Sequence, residues 1–276
     1  MAGNTSIEWA TKSWNPIRGC SVYSAGCTNC YAMRQAHWRG GSTERGAFAG
    51  LTKSSKGGGV WTGKITLVEK DLETPLRWRK PERVFVNSMS DMFHVDVPDD
   101  FIRRLFDVMG RAHQHVFQLL TKRAERMLEL SDRLPWHPNI WAGVSVEDEK
   151  SAYRAELLAK TGARIKWISA EPLLAPIPFL PLDAIDWVVL GGESGPGARR
   201  CDPEWIRNLL GQCRASGVRP FTKQLGTVWA TENRARTEDG SRDYKGKHPE
   251  NWPEDLRVRE YPEAKPRALP EQWLGY

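Results

Sequence analysis

Three cysteines near the N-terminus, Cys20, Cys27 and Cys30, follow one another with the spacing C-x6-C-x2-C. Cys201 and Cys213 lie far downstream, so the chain has an odd total of 5 cysteines. An odd count, in a chain whose start lacks a signal-peptide pattern, argues against a disulfide framework. Thiolates are the usual ligands of iron–sulfur clusters. The spacing therefore predicts that the first three cysteines bind one small inorganic cluster.

The nature of that metal group depends on whether a fourth ligand is available. A [4Fe-4S] cluster normally takes four thiolates, so three leave one iron open. The rival is a structural zinc with His37 as its fourth ligand. If the residues after Cys30 form a helix, His37 lies roughly 10 Å along its axis from Cys30, too far for a shared ion. The cluster with an open iron is favoured; zinc and three unligated thiols are the alternatives.

The elements that must position these cysteines show a regular rhythm of β-rich runs and helical stretches. The runs are 11–16, 65–67, 84–88, 116–120, 140–146, 165–169, 187–190 and 218–222. Helices are predicted between them, including 99–110 and a helix that begins at Asp202. Such spacing is typical of strand–helix units and predicts a parallel sheet. Eight units favour a (β/α)8-like or partial TIM-type barrel, with an open doubly wound sheet as the alternative.

Polar side chains occur where most of these strands end, and the active sites of such barrels lie at that end. We expect the following residues to bind a cofactor there: Asn87, Ser88, Asp91, Ser145, Glu147, Glu171 and Glu193. Lys122, Glu171 and Lys223 are the predicted catalytic residues. Carboxylates of this kind bind ribose hydroxyls or an ammonium group, and the lysines bind a carboxylate or a phosphate.

Composition limits the class of protein. The 276 residues are 40% hydrophobic, which suffices for a sizeable core, and no apolar run approaches the roughly 20 residues of a membrane helix. We therefore expect a cytoplasmic protein without a membrane partner. The net charge of +6 and the 13 tryptophans favour an anionic partner such as nucleic acid. We expect a core domain over 1–230 and a charged, Pro-rich C-terminal extension over 231–276. The extension either packs on the core through Trp252 and Trp273 or is partly mobile.

Several motifs together resemble the radical S-adenosylmethionine (SAM) superfamily. They are Trp14-Asn-Pro, the loop that closes on Cys27-x-x-Cys30-Tyr-Ala, Glu171-Pro-Leu173 and Gly191-Gly-Glu-Ser-Gly195. More narrowly, they resemble a largely uncharacterised phage-associated family grouped with those enzymes, from about Thr5 to Gly226. The spacing C-x6-C-x2-C differs from the superfamily's commoner C-x3-C-x2-C.

The resemblance implies a [4Fe-4S] cluster on Cys20, Cys27 and Cys30, with SAM bound at the open iron. It also implies reductive cleavage of SAM to a 5′-deoxyadenosyl radical, and an electron donor such as flavodoxin or ferredoxin. Nucleic acid, in repair or base modification, is the expected substrate. The alternatives are the same chemistry on a small molecule or peptide, and a non-enzymatic iron–sulfur or zinc binding module.

Overall fold

The computed structural model describes residues 2–56 and 58–262. Its strands are β1 (Ala2–Asn4), β2 (Lys12–Trp14), β3 (Ile17–Arg18), β4 (Thr52–Ser55), β5 (Gly58–Trp61), β6 (Thr66–Leu67), β7 (Arg83–Val86), β8 (Val116–Gln118), β9 (Ile140–Ser145), β10 (Ile165–Ala170), β11 (Trp187–Gly191) and β12 (Arg219–Gln224). Its α-helices are α1 (Tyr31–Ala36), α2 (Asp99–Arg111), α3 (Ala124–Ser131), α4 (Tyr153–Ala159), α5 (Pro203–Ala215) and α6 (Thr227–Glu232).

An eight-stranded sheet with the order β1-β2-β7-β8-β9-β10-β11-β12 forms the centre of the protein. All neighbours from β2 to β12 pair in parallel, and β1 joins the edge antiparallel to β2. The predicted parallel sheet is thus confirmed, except at one strand. The run 65–67 forms only β6, which pairs with β3 in a separate two-stranded sheet. It is too short to cross the sheet, and β1 takes the eighth place.

The sheet is strongly curved. Trp9 packs against Phe85 of β7 and Trp187 of β11, with ring centroids 4.8 and 6.2 Å away. β7 and β11 are separated by four steps in the sheet order, which in a flat sheet amounts to roughly 19 Å. One side chain reaches both only because the strands bend around it. Among the described residues no ladder joins β12 to β1 or β2, so the barrel is not closed by hydrogen bonds.

Two helices confirm what the apolar spacing predicts. Along α2 the buried side chains are Phe101, Ile102, Leu105, Phe106, Val108 and Met109, which lie on one face at helical spacing. At the start of α5 the Asp202 side chain accepts the backbone N–H of Glu204, and Pro203 occupies the first turn. Within the described ranges, no helix has both the length and the apolar character that crossing a membrane requires.

The core has two parts, one on each face of the sheet. The helix-covered face holds most of the buried aliphatic residues, and Trp252 and Leu256 from the C-terminal segment are buried in it. The concave face holds an aromatic cluster: Trp9, Phe85, Trp141, Trp167, Trp187 and Phe221. Trp252 therefore anchors its segment as expected, whereas Trp273 lies outside the described residues. The aromatic cluster fills the concave face, while polar groups occupy the carboxyl ends of the strands above it.

Candidate functional site

A cavity of about 1020 Å³ opens at the carboxyl ends of the parallel strands. The predicted site residues that line it are Cys20, Cys27, Cys30, Asn87, Ser88, Asp91, Lys122, Ser145, Glu171, Glu193 and Lys223. Glu147 is the predicted residue absent from this lining. Carboxyl ends of neighbouring parallel strands meet at one edge of a sheet, which is why residues so distant in sequence share one cavity.

The cysteine loop begins after β3 at a sharp turn. Gly19 has φ 91°, and a Cβ atom there would lie 2.1 Å from the backbone oxygen of Lys64, so only glycine fits before Cys20. Just upstream, the Asn15 side-chain oxygen accepts the Ser88 hydroxyl and the Met89 N–H, both at 3.0 Å. These bonds fasten the start of the loop to the segment that follows β7.

All three loop cysteines are free thiols, and they lie close enough together for their charges to interact. Burial raises the pKa of Cys20 to about 12 and also raises the pKa of Cys30. A thiol with a pKa of about 12 keeps its proton at neutral pH, so Cys20 is a poor nucleophile on its own. Cysteine thiols become ligands when a bound cation displaces their protons. The chemistry of this donor set therefore fits a thiolate-bound metal group.

The zinc alternative lacks its fourth ligand. His37 Nδ1 is hydrogen-bonded to Thr52 Oγ1 of β4 at 3.2 Å, and His37 is not among the residues lining the cavity. Across residues 2–56 and 58–262, no set of three or more His, Cys, Asp and Glu side chains is gathered to hold one metal ion. Cluster thiolates bind separate irons and need not converge on one point as zinc ligands do.

Arg123 lies beside the first cysteine. Its guanidinium donates to Asp91 and to Ser21 Oγ, each at 2.8 Å, and its Nη1 lies 3.9 Å from Cys20 Sγ. Asp91 also accepts the Thr121 hydroxyl at 2.7 Å. Although burial alone would lower the pKa of Arg123, Asp91 and Cys20 raise it. A permanent positive charge thus lies next to the Cys20 sulfur, held in place by the strand-end carboxylate.

His94 and Ser21 form a hydrogen-bonded pair near the same cysteine, with His94 Nε2 2.9 Å from Ser21 Oγ. The backbone N–H of Asp96 donates to His94 Nδ1 at 3.2 Å, so Nδ1 is the acceptor and Nε2 carries the proton. Burial and, next, Arg123 lower the pKa of His94. A neutral imidazole in this tautomer donates to Ser21 and does not activate it as a nucleophile.

Glu147, which does not line the cavity, binds the middle of the cysteine loop. Its carboxylate accepts bonds from Lys122, from Arg154 Nη1 at 2.9 Å and from Ser24 Oγ at 2.7 Å. Burial by itself would raise the pKa of Glu147, but Lys122, Arg154 and Ser24 lower it. Gly26 passes so close that a Cβ atom would lie 2.4 Å from Glu147 Oε1. This carboxylate is occupied by protein groups on every side.

Glu193 holds the far end of the loop in the same manner. Asn29 Nδ2 donates to it at 3.0 Å and Arg199 Nε at 2.8 Å, while Arg199 Nη1 donates to the Ala25 oxygen at 3.0 Å. Burial alone would raise the pKa of Glu193, yet Arg199 and Asn29 lower it. Sequence analysis missed Ser24, Asn29, Arg154 and Arg199, because none lies at a strand end and no spacing rule links them to the cysteines.

Glu171 and Lys223 form an ion pair that faces the cavity, with Lys223 Nζ 2.8 and 2.9 Å from the two carboxylate oxygens. Asn87 lines the same cavity and has a left-handed backbone, with φ 59°. Its side-chain amide is buried and has no hydrogen-bond partner among the described residues. Leaving such a group unpaired costs free energy, so Asn87 has unused capacity for a bound ligand.

Comparison with known proteins gives a family and one distant structural likeness. Residues 4–253 match the family described as "Protein of unknown function (DUF5131)". No curated protein matches the sequence. Among solved structures, a mutant of spore photoproduct lyase aligns with 90% of this chain and 74% of its own, at 12% identity and a TM-score of 0.41. Because the family match spans most of the sequence, the chain belongs to the DUF5131 family of proteins of unknown function.

Proposed function

We propose that the chain is an iron–sulfur enzyme of the radical SAM type, with a [4Fe-4S] cluster on Cys20, Cys27 and Cys30 and SAM in the adjoining cavity. One observation carries the proposal: three free cysteines on one loop line the same cavity as the charged residues at the strand ends. When bound, the reduced cluster supplies the electron that cleaves a carbon–sulfur bond of SAM and generates the radical that abstracts hydrogen from substrate.

The surrounding residues support the cluster by fixing the loop. Glu147 binds the loop at Ser24, and Glu193 binds it at Asn29, so the segment with Cys27 lies between two anchored points. Arg123 places a positive charge near Cys20, which favours the thiolate over the thiol. In this proposal Glu147 positions the loop, whereas the sequence analysis expected it to bind cofactor.

The ion pair of Glu171 and Lys223 is the proposed binding element for polar groups of SAM or substrate. A carboxylate accepts ribose hydroxyls or an ammonium group, and an ammonium binds a carboxylate or phosphate. A ligand that carries both kinds of group replaces the ion pair, with one group bound to Glu171 and the other to Lys223. Neither charge is then left unpaired. Lys122 forms an ion pair with Glu147, so its predicted catalytic role requires that this ion pair break.

The proposed substrate is nucleic acid, in repair or base modification, with an electron donor such as flavodoxin or ferredoxin. The cavity of about 1020 Å³ lies at the upper end of sites that hold one small ligand, which leaves room for substrate beside a cofactor. The proposed domain organisation is a radical-SAM-like α/β barrel over 1–230 and a charged extension over 231–276, of which 263–276 lie outside the described residues.

Metal and sulfide analysis tests the proposal. Protein reconstituted without oxygen is expected to contain about four iron and four sulfide per chain. Replacing Cys20, Cys27 or Cys30 with alanine is expected to abolish most of this content, because each removes one of three ligands. Cys201→Ala is the matched control and is expected to retain it, since Cys201 lies outside the cavity lining.

Addition of SAM then tests the open iron. The spectrum of the reduced cluster is expected to change, and 5′-deoxyadenosine is expected to form. If SAM does not change the spectrum of the reduced cluster, the radical mechanism is contradicted and a non-enzymatic iron–sulfur binding module is favoured. Zinc in place of iron, retained in all three cysteine variants, would overturn the proposal altogether.

A further inference from the structure

A second pocket, outside the cavity, lies beside α6 in the C-terminal segment. It has a volume of about 270 Å³ and is lined by Arg234, Arg236 and Arg242, with Thr231 and Ala235. The three arginines that line it make this part of the surface positive, because arginine stays charged at any physiological pH.

In the described part of the chain, no carboxylate lies within ion-pair distance of these three arginines. Arg242 Nη2 donates to Thr231 Oγ1 at 3.0 Å, and Arg236 Nη1 donates only weakly, at 3.4 Å, to the Gly240 oxygen. Both acceptors are neutral. The positive charge of the pocket is therefore not neutralised by the protein.

The acidic side chains close to this pocket in sequence are engaged in other bonds or exposed. Asp243, next to Arg242, is buried and accepts the backbone N–H groups of Lys245 and His248. Glu232 pairs with Arg200. Asp239 accepts the Thr237 hydroxyl and the Ser241 N–H within the turn that joins Arg236 to Arg242. Glu238 is exposed on that turn. None of them is a residue of the pocket.

The backbone forces two of these arginines together. Arg236 and Arg242 are direct partners in an antiparallel β-bridge, which places their side chains on the same face. Like charges directly opposite each other in such a pair are destabilising. Arg234 has a left-handed backbone, with φ 51°, a conformation that non-glycine residues rarely adopt. An arrangement that is unfavourable in isolation becomes favourable once an anion lies between the guanidinium groups.

The pocket adjoins the cavity through one turn of α6. Thr231 Oγ1 donates to the Thr227 backbone oxygen at 2.8 Å, and Thr227 Oγ1 donates to the Tyr244 backbone oxygen at 2.6 Å. Thr227, Tyr244 and Lys245 line the main cavity. Residues four apart in an α-helix, such as Thr227 and Thr231, are separated by about 6 Å along its axis. An anion in the pocket is therefore next to the cavity edge.

An aromatic ring lies between the two sites. The Tyr244 side chain is 66% exposed, and the Arg242 guanidinium lies 5.3 Å from the centre of its ring. Exposed aromatic rings beside arginines stack the bases of single-stranded nucleic acid, while the arginines bind its phosphates, often in bidentate fashion. A ring that stacks on a base requires that the base be unpaired.

We propose that this surface, the arginine pocket with Tyr244, binds a single-stranded nucleic acid, with a backbone phosphate in the pocket and the adjoining base on Tyr244. This inference rests on the proposed function, because the bound strand is the substrate of the reaction proposed for the cavity. The binding itself needs no cluster. The surface holds the strand so that a neighbouring nucleotide enters the cavity past Lys245.

Fluorescence anisotropy with a labelled single-stranded oligonucleotide tests the proposal, using the full chain with and without its cluster. Arg234→Gln with Arg242→Gln is expected to weaken binding about tenfold or more. The slope of log K against log salt is expected to fall by about 0.7, because one phosphate contact is lost. The lysine double variant, R234K/R242K, keeps the charge and is expected to keep most of the slope.

Two further comparisons distinguish binding at this surface from a general effect of positive charge on the protein. Arg103→Gln with Arg111→Gln removes the same charge from the exposed side of α2 and is expected to leave affinity nearly unchanged. Tyr244→Ala is expected to weaken binding about 5- to 150-fold through lost stacking, whereas Tyr244→Phe retains it. Equal effects of the two arginine pairs, or equal affinity of Tyr244→Ala and Tyr244→Phe, would overturn the proposal.

The identity of the ligand has its own control. A mononucleotide or inorganic phosphate that binds as tightly as the oligonucleotide would show a small-anion site and contradict strand binding. Failure of this proposal is distinct from failure of the proposed function: oligonucleotide binding that persists without iron supports the surface alone. If the cluster chemistry is intact but no oligonucleotide binds, the proposed enzyme activity stands and the proposal of a nucleic-acid substrate fails.

Discussion

At the scale of single residues, the strand-end carboxylates divide into two groups that the sequence alone does not separate. Glu171 faces the cavity, and among residues 2–56 and 58–262 its one bonded neighbour is Lys223, with each side chain 16% exposed. Glu147 lies behind the cysteine loop and binds three protein groups. Both follow an apolar strand and look alike in sequence. Their different roles follow from which side chains the neighbouring strands bring to them.

A double-mutant cycle on Glu171→Gln and Lys223→Met tests the pairing. We expect the double variant to lose less stability than the sum of the two single effects, because each single variant leaves one partly buried charge unpaired. The coupling in the free energy of unfolding is expected to be about 0.5–3 kcal/mol. Urea unfolding of the four proteins measures it. Effects that add within about 0.3 kcal/mol would show that the pair contributes no stability.

At the scale of elements, the cysteine loop is held by contacts from the segments that follow β7, β9 and β11, not by its own conformation. It contains only a short 3₁₀ turn over Ala25–Cys27 before α1 begins. The six-residue helix α1 is too short to be stable alone. Side chains of the β4–β5 hairpin and nearby loops, including Phe48, Leu51 and Trp61, cover its buried face.

Gly26→Ala tests how closely the loop must approach Glu147. The added Cβ atom would lie 2.4 Å from Glu147 Oε1. Since Lys122, Arg154 and Ser24 hold that carboxylate, we expect the loop to be displaced, at a cost of about 1–3 kcal/mol. Iron content after reconstitution is expected to fall with it.

Gly211→Ala in α5 is the control for this change, since a Cβ atom there meets nothing within 4 Å. It is expected to raise helix stability by up to about 1 kcal/mol and to leave iron content unchanged. Wild-type iron content and stability in Gly26→Ala would mean that the loop does not need its close contact with Glu147.

At the scale of the whole molecule, curvature of the sheet creates the cavity, and the aromatic cluster on the concave face supports that curvature. Trp9 contacts Phe85, Trp167 and Trp187, which belong to three different strands. Those strands enclose the floor of the cavity, and Trp9 itself lines it. A change in this cluster therefore acts on the whole fold and on the site together.

Trp9→Ala tests that role. Trp9 is 3% exposed, and its removal leaves a void between β7 and the β10–β11 pair. We expect a loss of about 3–5 kcal/mol in the free energy of unfolding. Trp38→Ala, at a tryptophan that is 80% exposed, is expected to change stability by less than about 0.5 kcal/mol. Guanidinium unfolding compares them, and similar losses in both variants would rule out a special role for Trp9.

The sequence by itself determined the parallel αβ order and the helices α2 and α5, because hydrophobic period and helix-start residues act over short distances. It also singled out the three cysteines, since their spacing lies within one loop. Only the tertiary structure decided that β1 and not 65–67 completes the sheet, and that hydrogen bonds do not close the barrel. It alone paired Arg154 with Glu147 and Arg199 with Glu193, the two carboxylates that hold the cysteine loop, and it brought three arginines to one pocket. Those contacts join residues far apart in the chain or depend on backbone pairing, and no local pattern encodes which distant side chain fills a given space.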